Sequence, residues 1–187
     1  MKKEDKRQLF DISSRYLFLL LIGLPNLFLF YFIFKPLTIY PVYFLLNIFL
    51  DTSLYGNILY FEGYTVQLIN ACIAGAAYYL LLILNLSIPK IKIEKRIKII
   101  FYSFMSLLAL NILRIFVLTL LFVSGFAFFD LTHKIFWYSL SIIFVIGIWF
   151  LTAFLFKIKQ IPVYSDIKYL ISNIRREKKD SFILDNH

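Results

Sequence analysis

The sequence has few of the residues from which many functional sites are built. Cys72 is the only cysteine among 187 residues, so the chain lacks the paired thiols that dithiol redox enzymes exchange. His133 and His187 are the only histidines, and no close-spaced set of ligands accompanies them. We therefore expect no metal and no cofactor.

Charged side chains are also scarce, and their placement is uneven. The chain is 61% hydrophobic and 17% charged, with a mean hydropathy of +0.80, whereas ordinary soluble domains are about half apolar. The net charge of +9 comes from basic residues that cluster beside apolar segments. This distribution predicts an integral membrane protein and argues against nucleic acid as a partner.

The apolar segments predict an all-α membrane protein with a single domain, 1–187, because a bilayer core requires about 20 apolar residues per helix. About four transmembrane helices are expected. The segment between the first two, Pro36 to Leu50, is short and contains two prolines, which favours an external re-entrant or interfacial segment and leaves open whether it spans the membrane. The predicted helices are 16–34, 65–88, 97–123 and 134–156.

The basic clusters predict the orientation of these helices. With four spans, the N-terminal residues 1–15, the loop Lys90 to Lys98 and the tail 157–187 all lie on one side. Positive charge marks the cytoplasmic side of a membrane protein. We therefore expect a multi-pass protein of the cell membrane with both termini in the cytoplasm.

Counting residues from the basic anchors predicts that Cys72 and Arg114 lie at the same depth. At 1.5 Å per residue, Cys72 lies about 27 Å from Lys90 and Arg114 about 24 Å from Lys98. His133 lies about 36 Å from the anchor of the last helix, at the external interface. The three side chains are thus expected near the external face of the membrane.

These three side chains have the chemistry of a cysteine acyl-transfer site. A cation near Cys72 stabilises the thiolate, Arg114 can stabilise an oxyanion, and His133 can carry a proton. Each also has a structural interpretation. Cysteine is often simply buried, a membrane arginine can bond backbone carbonyls or reach toward the interface, and loop histidines are common.

Three further polar residues are weaker candidates for orienting groups or contacting the substrate. Asn111 precedes Arg114 by one helical turn, so it can either orient the guanidinium or form an interhelical hydrogen bond. Glu62 belongs to the segment Lys35 to Tyr64, which is expected to form an external lid. Asp130 is close to the histidine and is an alternative for its role.

The run Asn70-Ala71-Cys72-Ile73-Ala74-Gly75, the run Asn111-Ile112-Leu113-Arg114-Ile115 and the later His133 together resemble the exosortase and archaeosortase family. The resemblance covers about 60–149, and the short chain favours an archaeal-type or minimal branch. In this family a glycine often follows the cysteine by two residues, whereas Gly75 follows by three.

The resemblance implies a membrane-embedded cysteine protease or transpeptidase. Such enzymes cleave the C-terminal sorting signal of exported proteins at the outer membrane face and join the new end to an acceptor, such as a membrane lipid. The expected substrates end in a short motif, a hydrophobic helix and a basic cluster. The alternative is a small non-enzymatic transporter or complex subunit, in which Arg114 binds an anionic ligand or a partner helix.

Overall fold

The computed structural model describes residues 3–25, 27–61, 63–89, 91–137, 141–158 and 171, with side chains from Phe10 onward except those of Asp11 and Ser141. This part of the chain is mostly helical, as predicted, and it also contains a small sheet. The elements in chain order are α1 Lys3–Gly23, α2 Phe28–Phe49, β1 Ser53–Tyr55, β2 Ile58–Phe61, β3 Tyr64–Gln67, α3 Asn70–Ile73, α4 Gly75–Leu86, α5 Ile93–Val123, α6 Phe129–Ile135 and α7 Ser141–Leu155.

Two helices, α2 and α5, are long and apolar enough to cross a membrane. α4 has 12 residues and α7 has 15, fewer than the roughly 20 that a bilayer core requires. Many large apolar side chains on the outward faces of the helices are exposed, among them Phe32, Phe44 and Phe154. Exposed apolar surface of this extent marks contact with a membrane or with another protein.

The first helical region differs from its prediction. A single helix over 16–34 was expected, followed by a re-entrant segment over 36–50. Instead α1 ends at Gly23, and α2 continues through both Pro36 and Pro41 to Phe49. The buried residues Phe30, Phe34, Thr38, Val42 and Leu46 of α2 recur every four positions, as on one helix face. Burial of this stripe outweighs the two backbone hydrogen bonds that the prolines cannot donate.

α1 and α2 run in the same direction, as two pieces of one passage along α4 and α5. Near the start of this passage Arg15 Nη1 donates to Leu86 O at the end of α4, at 3.1 Å. Farther along, Tyr79 Oη donates to Leu19 O at 2.9 Å, and Phe34 stacks on Tyr78 with ring centroids 3.7 Å apart. At its far end Phe49 contacts Phe116 of α5.

The chain then forms a three-stranded antiparallel sheet, order β1-β2-β3, before it enters α3. The predicted helix over 65–88 is therefore wrong at its start, because Tyr64–Gln67 forms β3 and the helical part begins at Asn70. The predicted lid Lys35 to Tyr64 is also wrong in part, since residues 35–49 belong to α2. Turns containing Gly56 and Gly63, both with positive φ, connect the strands. We call the part of the molecule that holds residues 53–67 the sheet end.

α5 packs between α2, α4 and α7 and holds the helices together through buried polar groups. Its extent includes all of the predicted helix 97–123 and begins four residues earlier. Asn85 Nδ2 donates to Ser103 Oγ at 3.2 Å, and Ser103 Oγ lies 3.3 Å from Thr152 Oγ1. At the opposite end from the sheet, Arg96 donates to the carbonyls of Asn85, Leu86 and Ile88 at the end of α4.

The last predicted helix, 134–156, also differs in part. His133 and Lys134 lie inside the seven-residue α6, and α7 covers 141–155. Residues 138–140 and most of the tail 157–187 lie outside the described residues, so the prediction for the tail stays a prediction.

Two helical glycines lead to a test of the packing between α2 and α4. A Cβ on Gly75 would lie 2.7 Å from Cε1 of Tyr31, whereas a Cβ on Gly147 would meet no atom within 4 Å. We expect Gly75→Ala to destabilise the protein by about 1 to 3 kcal/mol through overpacking. We expect Gly147→Ala to be neutral or stabilising by up to about 1 kcal/mol, because alanine favours helix.

The measurement is the thermal unfolding of the purified protein in detergent. The double variant Gly75→Ala with Tyr31→Leu should recover part of the loss, because a smaller side chain then faces the new methyl group. Equal melting temperatures for the two single variants would contradict this account of the α2–α4 contact.

Candidate functional site

A cavity of about 280 Å³ lies at the sheet end, between β3, α3, α5 and α6. Each of these elements supplies part of the wall, together with the link from β3 to α3. The lining residues are Thr65, Val66, Gln67, Leu68, Ile69, Cys72, Arg114, Ile115, Leu118, Thr119, Phe122, Phe129, His133 and Trp137. The three residues predicted from sequence as catalytic, Cys72, Arg114 and His133, therefore border the same space.

Cys72 is held in a single helical turn that ends at the next residue, Ile73. α3 begins after the extended Ile69, whose carbonyl accepts a hydrogen bond from the amide of Cys72 at 2.9 Å. Ala74 then adopts the left-handed conformation, with φ 61° and ψ 37°, and a new helix starts at Gly75. This conformation costs an L-residue about 1 to 2 kcal/mol. The break separates the cysteine from the regular part of α4 and leaves its side chain partly exposed to the cavity.

The carbonyl of Cys72 is bound by α5. Asn111 Nδ2 donates to Cys72 O at 2.9 Å, and Asn111 itself is 2% exposed. Of the two roles that the sequence left open for Asn111, the structure shows the interhelical hydrogen bond. The bond also places Cys72 beside the turn of α5 that precedes Arg114, in agreement with the depth count.

Arg114 brings a positive charge to the wall of the cavity. Its side chain is 8% exposed, and Ile115 and Thr119 beside it are also buried. No aspartate or glutamate occurs among the described residues that line the cavity. A cation in such surroundings attracts anions and electron-rich oxygens, because little solvent is present to screen it.

His133 borders the cavity from α6, between two aromatic rings. Its imidazole stacks on Phe129, with centroids 5.6 Å apart, and meets the edge of Trp137 at 5.9 Å. Phe129, His133 and Trp137 are spaced four residues apart, so they share one side of the helical segment. The histidine is exposed, so its ring is open to solvent as well as to the cavity.

The two remaining candidates are not brought into this group. Asp130 lies on α6 and is exposed, but it does not line the cavity. Glu62 lies outside the described residues. Among the described residues, no group of three or more His, Cys, Asp or Glu side chains is arranged to hold a metal ion.

Sequence reasoning missed the wall formed by β3, because Thr65 to Ile69 were assigned to a helix. A signal for the strands was present. The segment Ile58 to Phe61 is rich in β-branched and aromatic residues. It follows Gly56-Asn57, a typical hairpin turn pair, and Gly63 comes two residues after it. Trp137 was missed because a single aromatic residue in an aromatic-rich chain carries no specific signal.

A thiol, a guanidinium and an imidazole around one small cavity can perform acyl transfer. The thiol supplies a nucleophile, the guanidinium supplies donors for a developing oxyanion, and the imidazole carries a proton. The same cavity, with its buried cation and no carboxylate among the described lining residues, can also bind a small anion.

Comparison of the chain with protein families, with curated proteins and with solved structures finds no match. The resemblance to exosortases and archaeosortases therefore stays a prediction from the residues named above.

The contact between Asn111 and Cys72 leads to a test of how the thiol is positioned. We expect Asn111→Leu to lower stability by about 1 to 3 kcal/mol, because the carbonyl of Cys72 loses its partner in a buried place. We also expect the rate at which iodoacetamide alkylates Cys72 to change by threefold or more. Intact-mass spectrometry of the purified protein measures this rate.

Ser103→Ala is the matched control, because it removes another buried polar group of α5 that lies away from the cavity. This variant should lower stability and leave the alkylation rate of Cys72 within twofold of the wild-type rate. Equal alkylation rates in the Asn111→Leu variant and the wild type would show that the hydrogen bond does not position the thiol.

Proposed function

We propose that this protein is a membrane-embedded cysteine protease or transpeptidase of the exosortase and archaeosortase type. The observation that carries the proposal is the convergence of Cys72, Arg114 and His133, from three separate elements, on one cavity. The sequence predicts that these three side chains lie near one face of the membrane, and their position around one cavity supports a shared catalytic role.

In this proposal the reaction has two halves. The Cys72 thiol gives its proton to His133, and its sulfur attacks a peptide carbonyl while Arg114 donates hydrogen bonds to the oxyanion. The C–N bond then breaks, His133 protonates the leaving amine, and a thioester remains on Cys72. A hydroxyl or amine of the acceptor, or water, attacks the thioester, and the thiol is regenerated.

The proposed membrane arrangement supports an exported substrate. If α2, α3–α4, α5 and α6–α7 cross the bilayer with the basic loop in the cytoplasm, the sheet end faces the exterior. Because α1 and α2 run in the same direction, the proposal treats them together as one crossing. The proposed arrangement therefore has four crossings. A substrate that ends in a hydrophobic helix and a basic cluster would be oriented by the same rule, with its cleavage site beside the cavity.

One observation also favours a second function. Arg114 is buried in a cavity whose described lining includes no carboxylate, which suits the binding of an anionic solute or partner group. A small transporter or complex subunit would use Arg114 in this way and would not need the thiol. Substitution of Cys72 separates the two functions.

The test is made in the cells that naturally produce the protein. We expect Cys72→Ala to abolish cleavage of exported proteins that end in a hydrophobic helix and a basic cluster, with a loss of at least 100-fold. Arg114→Gln should reduce cleavage by 100-fold or more, because one oxyanion donor contributes about 10²- to 10³-fold. The readout is the C-terminal peptides of exported proteins, measured by mass spectrometry.

Asp130→Asn is the control, because Asp130 shares α6 with His133 and lies off the cavity. This variant should process substrates at the wild-type rate. Normal processing in the Cys72→Ala variant would rule out the cysteine mechanism. If Arg114→Gln impaired the cells while Cys72→Ala did not, the result would favour the transporter or complex subunit that uses Arg114.

A further inference from the structure

The outer edge of β3 borders the cavity with its backbone. Three consecutive residues of β3, Thr65 to Gln67, line the cavity, together with Leu68 and Ile69 that follow the strand. Side chains of a strand alternate between its two faces, so a cavity that met only one face would contact every second residue. Contact with consecutive residues means that the cavity meets the edge of the strand, where main-chain groups are accessible.

The register of the sheet identifies which main-chain groups face this edge. β2 and β3 pair antiparallel, with Ile58 opposite Gln67 and Tyr60 opposite Thr65. The next pair along is fixed by the amide of Leu68, which donates to Asn57 O at 2.9 Å. Hydrogen-bonded and non-hydrogen-bonded pairs alternate in an antiparallel ladder. Val66 and Leu68 therefore bond toward β2, and the N–H and C=O groups of Thr65 and Gln67 point to the outer edge.

β3 is also the last strand of the sheet within the described residues, since the order is β1-β2-β3. An edge strand with outward main-chain groups can pair with an added strand from another chain. The chain beyond β3 leads through Ile69 directly to Cys72. A peptide paired along this edge in the direction of β3 would run toward the part of the cavity that Cys72 lines.

We propose that the substrate binds in extended form as a fourth strand on the outer edge of β3, through main-chain hydrogen bonds to Thr65 and Gln67. This inference rests on the proposed function and specifies how the site binds a peptide substrate. The segment that pairs is the acyl side of the scissile bond, which belongs to the exported domain, because the leaving side continues into the membrane.

The direction of the added strand follows from the position of Cys72. β3 runs toward the thiol, and the acyl side of a substrate also runs toward its scissile carbonyl. The two strands are therefore parallel. The carbonyl at the end of the added strand then enters the space between Cys72 and Arg114, where the absence of carboxylates among the described lining residues favours an oxygen that gains negative charge.

Because main-chain pairing does not depend on side chains, a generic peptide is a sufficient probe. The probe is acetyl-tetraalanine chloromethyl ketone, whose alkyl chloride carbon forms a thioether with Cys72 and releases chloride. Chloroacetone is the peptide-free reference, and iodoacetamide reports the reactivity of the thiol itself. Intact-mass spectrometry of the full-length protein in detergent gives the rate of Cys72 alkylation by each reagent.

We expect the peptide reagent to alkylate Cys72 at least tenfold faster than chloroacetone does. Methylation of a peptide nitrogen removes one hydrogen-bond donor, and only every second residue of the added strand bonds to β3. Methylation at these alanines should abolish the acceleration over chloroacetone. Methylation at the alanines between them should change the alkylation rate less than threefold. A peptide reagent no faster than chloroacetone, or an equal effect of methylation at every position, would overturn the proposal.

Variants of β3 give a second measurement. Gln67→Pro removes an outward N–H and should slow the peptide reagent at least fivefold while leaving the iodoacetamide rate within twofold, since proline is tolerated on an edge strand. Gln67→Ala keeps the N–H and removes the same side chain, so it should slow the peptide reagent less than Gln67→Pro does. Wild-type peptide rates in a folded Gln67→Pro variant would contradict edge pairing.

Failure of this inference is distinguishable from failure of the proposed function. In one outcome, Cys72→Ala stops processing in cells while methylation at every alanine has the same effect on the alkylation rate. The proposed function is then supported and the strand pairing is wrong. If Cys72→Ala has no effect in cells, the proposed function is wrong whatever the peptide reagent shows.

Discussion

The hydrogen bond from Asn111 to the carbonyl of Cys72 is the contact on which the geometry of the cavity depends. The helical passage after the sheet is broken at Ala74, so α3 is a single turn that cannot hold its own position. Asn111 ties this turn to α5, the helix that also carries Arg114. This buried polar contact links the helical turn of the thiol to the helix of the guanidinium, and α3 also packs against α2.

The sequence predicts those parts of the site that depend on large free-energy costs within a single segment of the chain. A buried arginine in an apolar helix is expensive, and helical rise gives an approximate position along a helix from the residue number. These two facts predict that Arg114 and Cys72 lie at one level, and both residues line the cavity. The course of α5 was predicted for the same reason, since a long apolar segment bounded by lysines has few alternatives.

The parts that were mispredicted depend on tertiary packing. Two prolines in α2 argued against a helix, but the side chains buried along one face of α2 against α4 and α5 hold the helix in spite of them. The strands of the sheet have three or four residues each, so they lack the long apolar pattern that predicts a membrane helix. The approach of α6 to the cavity also depends on packing between distant segments. The four-residue spacing places His133 beside Phe129 and Trp137, but no local pattern shows that it approaches the same cavity as Cys72 and Arg114.

The central claim is that Cys72 forms a covalent acyl intermediate, and the most direct measurement is mass spectrometry of the wild-type protein isolated with its natural substrates. The account predicts a substrate fragment joined to the peptide that contains Cys72, released by neutral hydroxylamine as a thioester is. Such a fragment should be missing from the Arg114→Gln variant, because its formation requires the oxyanion to be stabilised. An unmodified Cys72 in cells that are actively processing exported proteins at their C-termini through this protein would contradict the account.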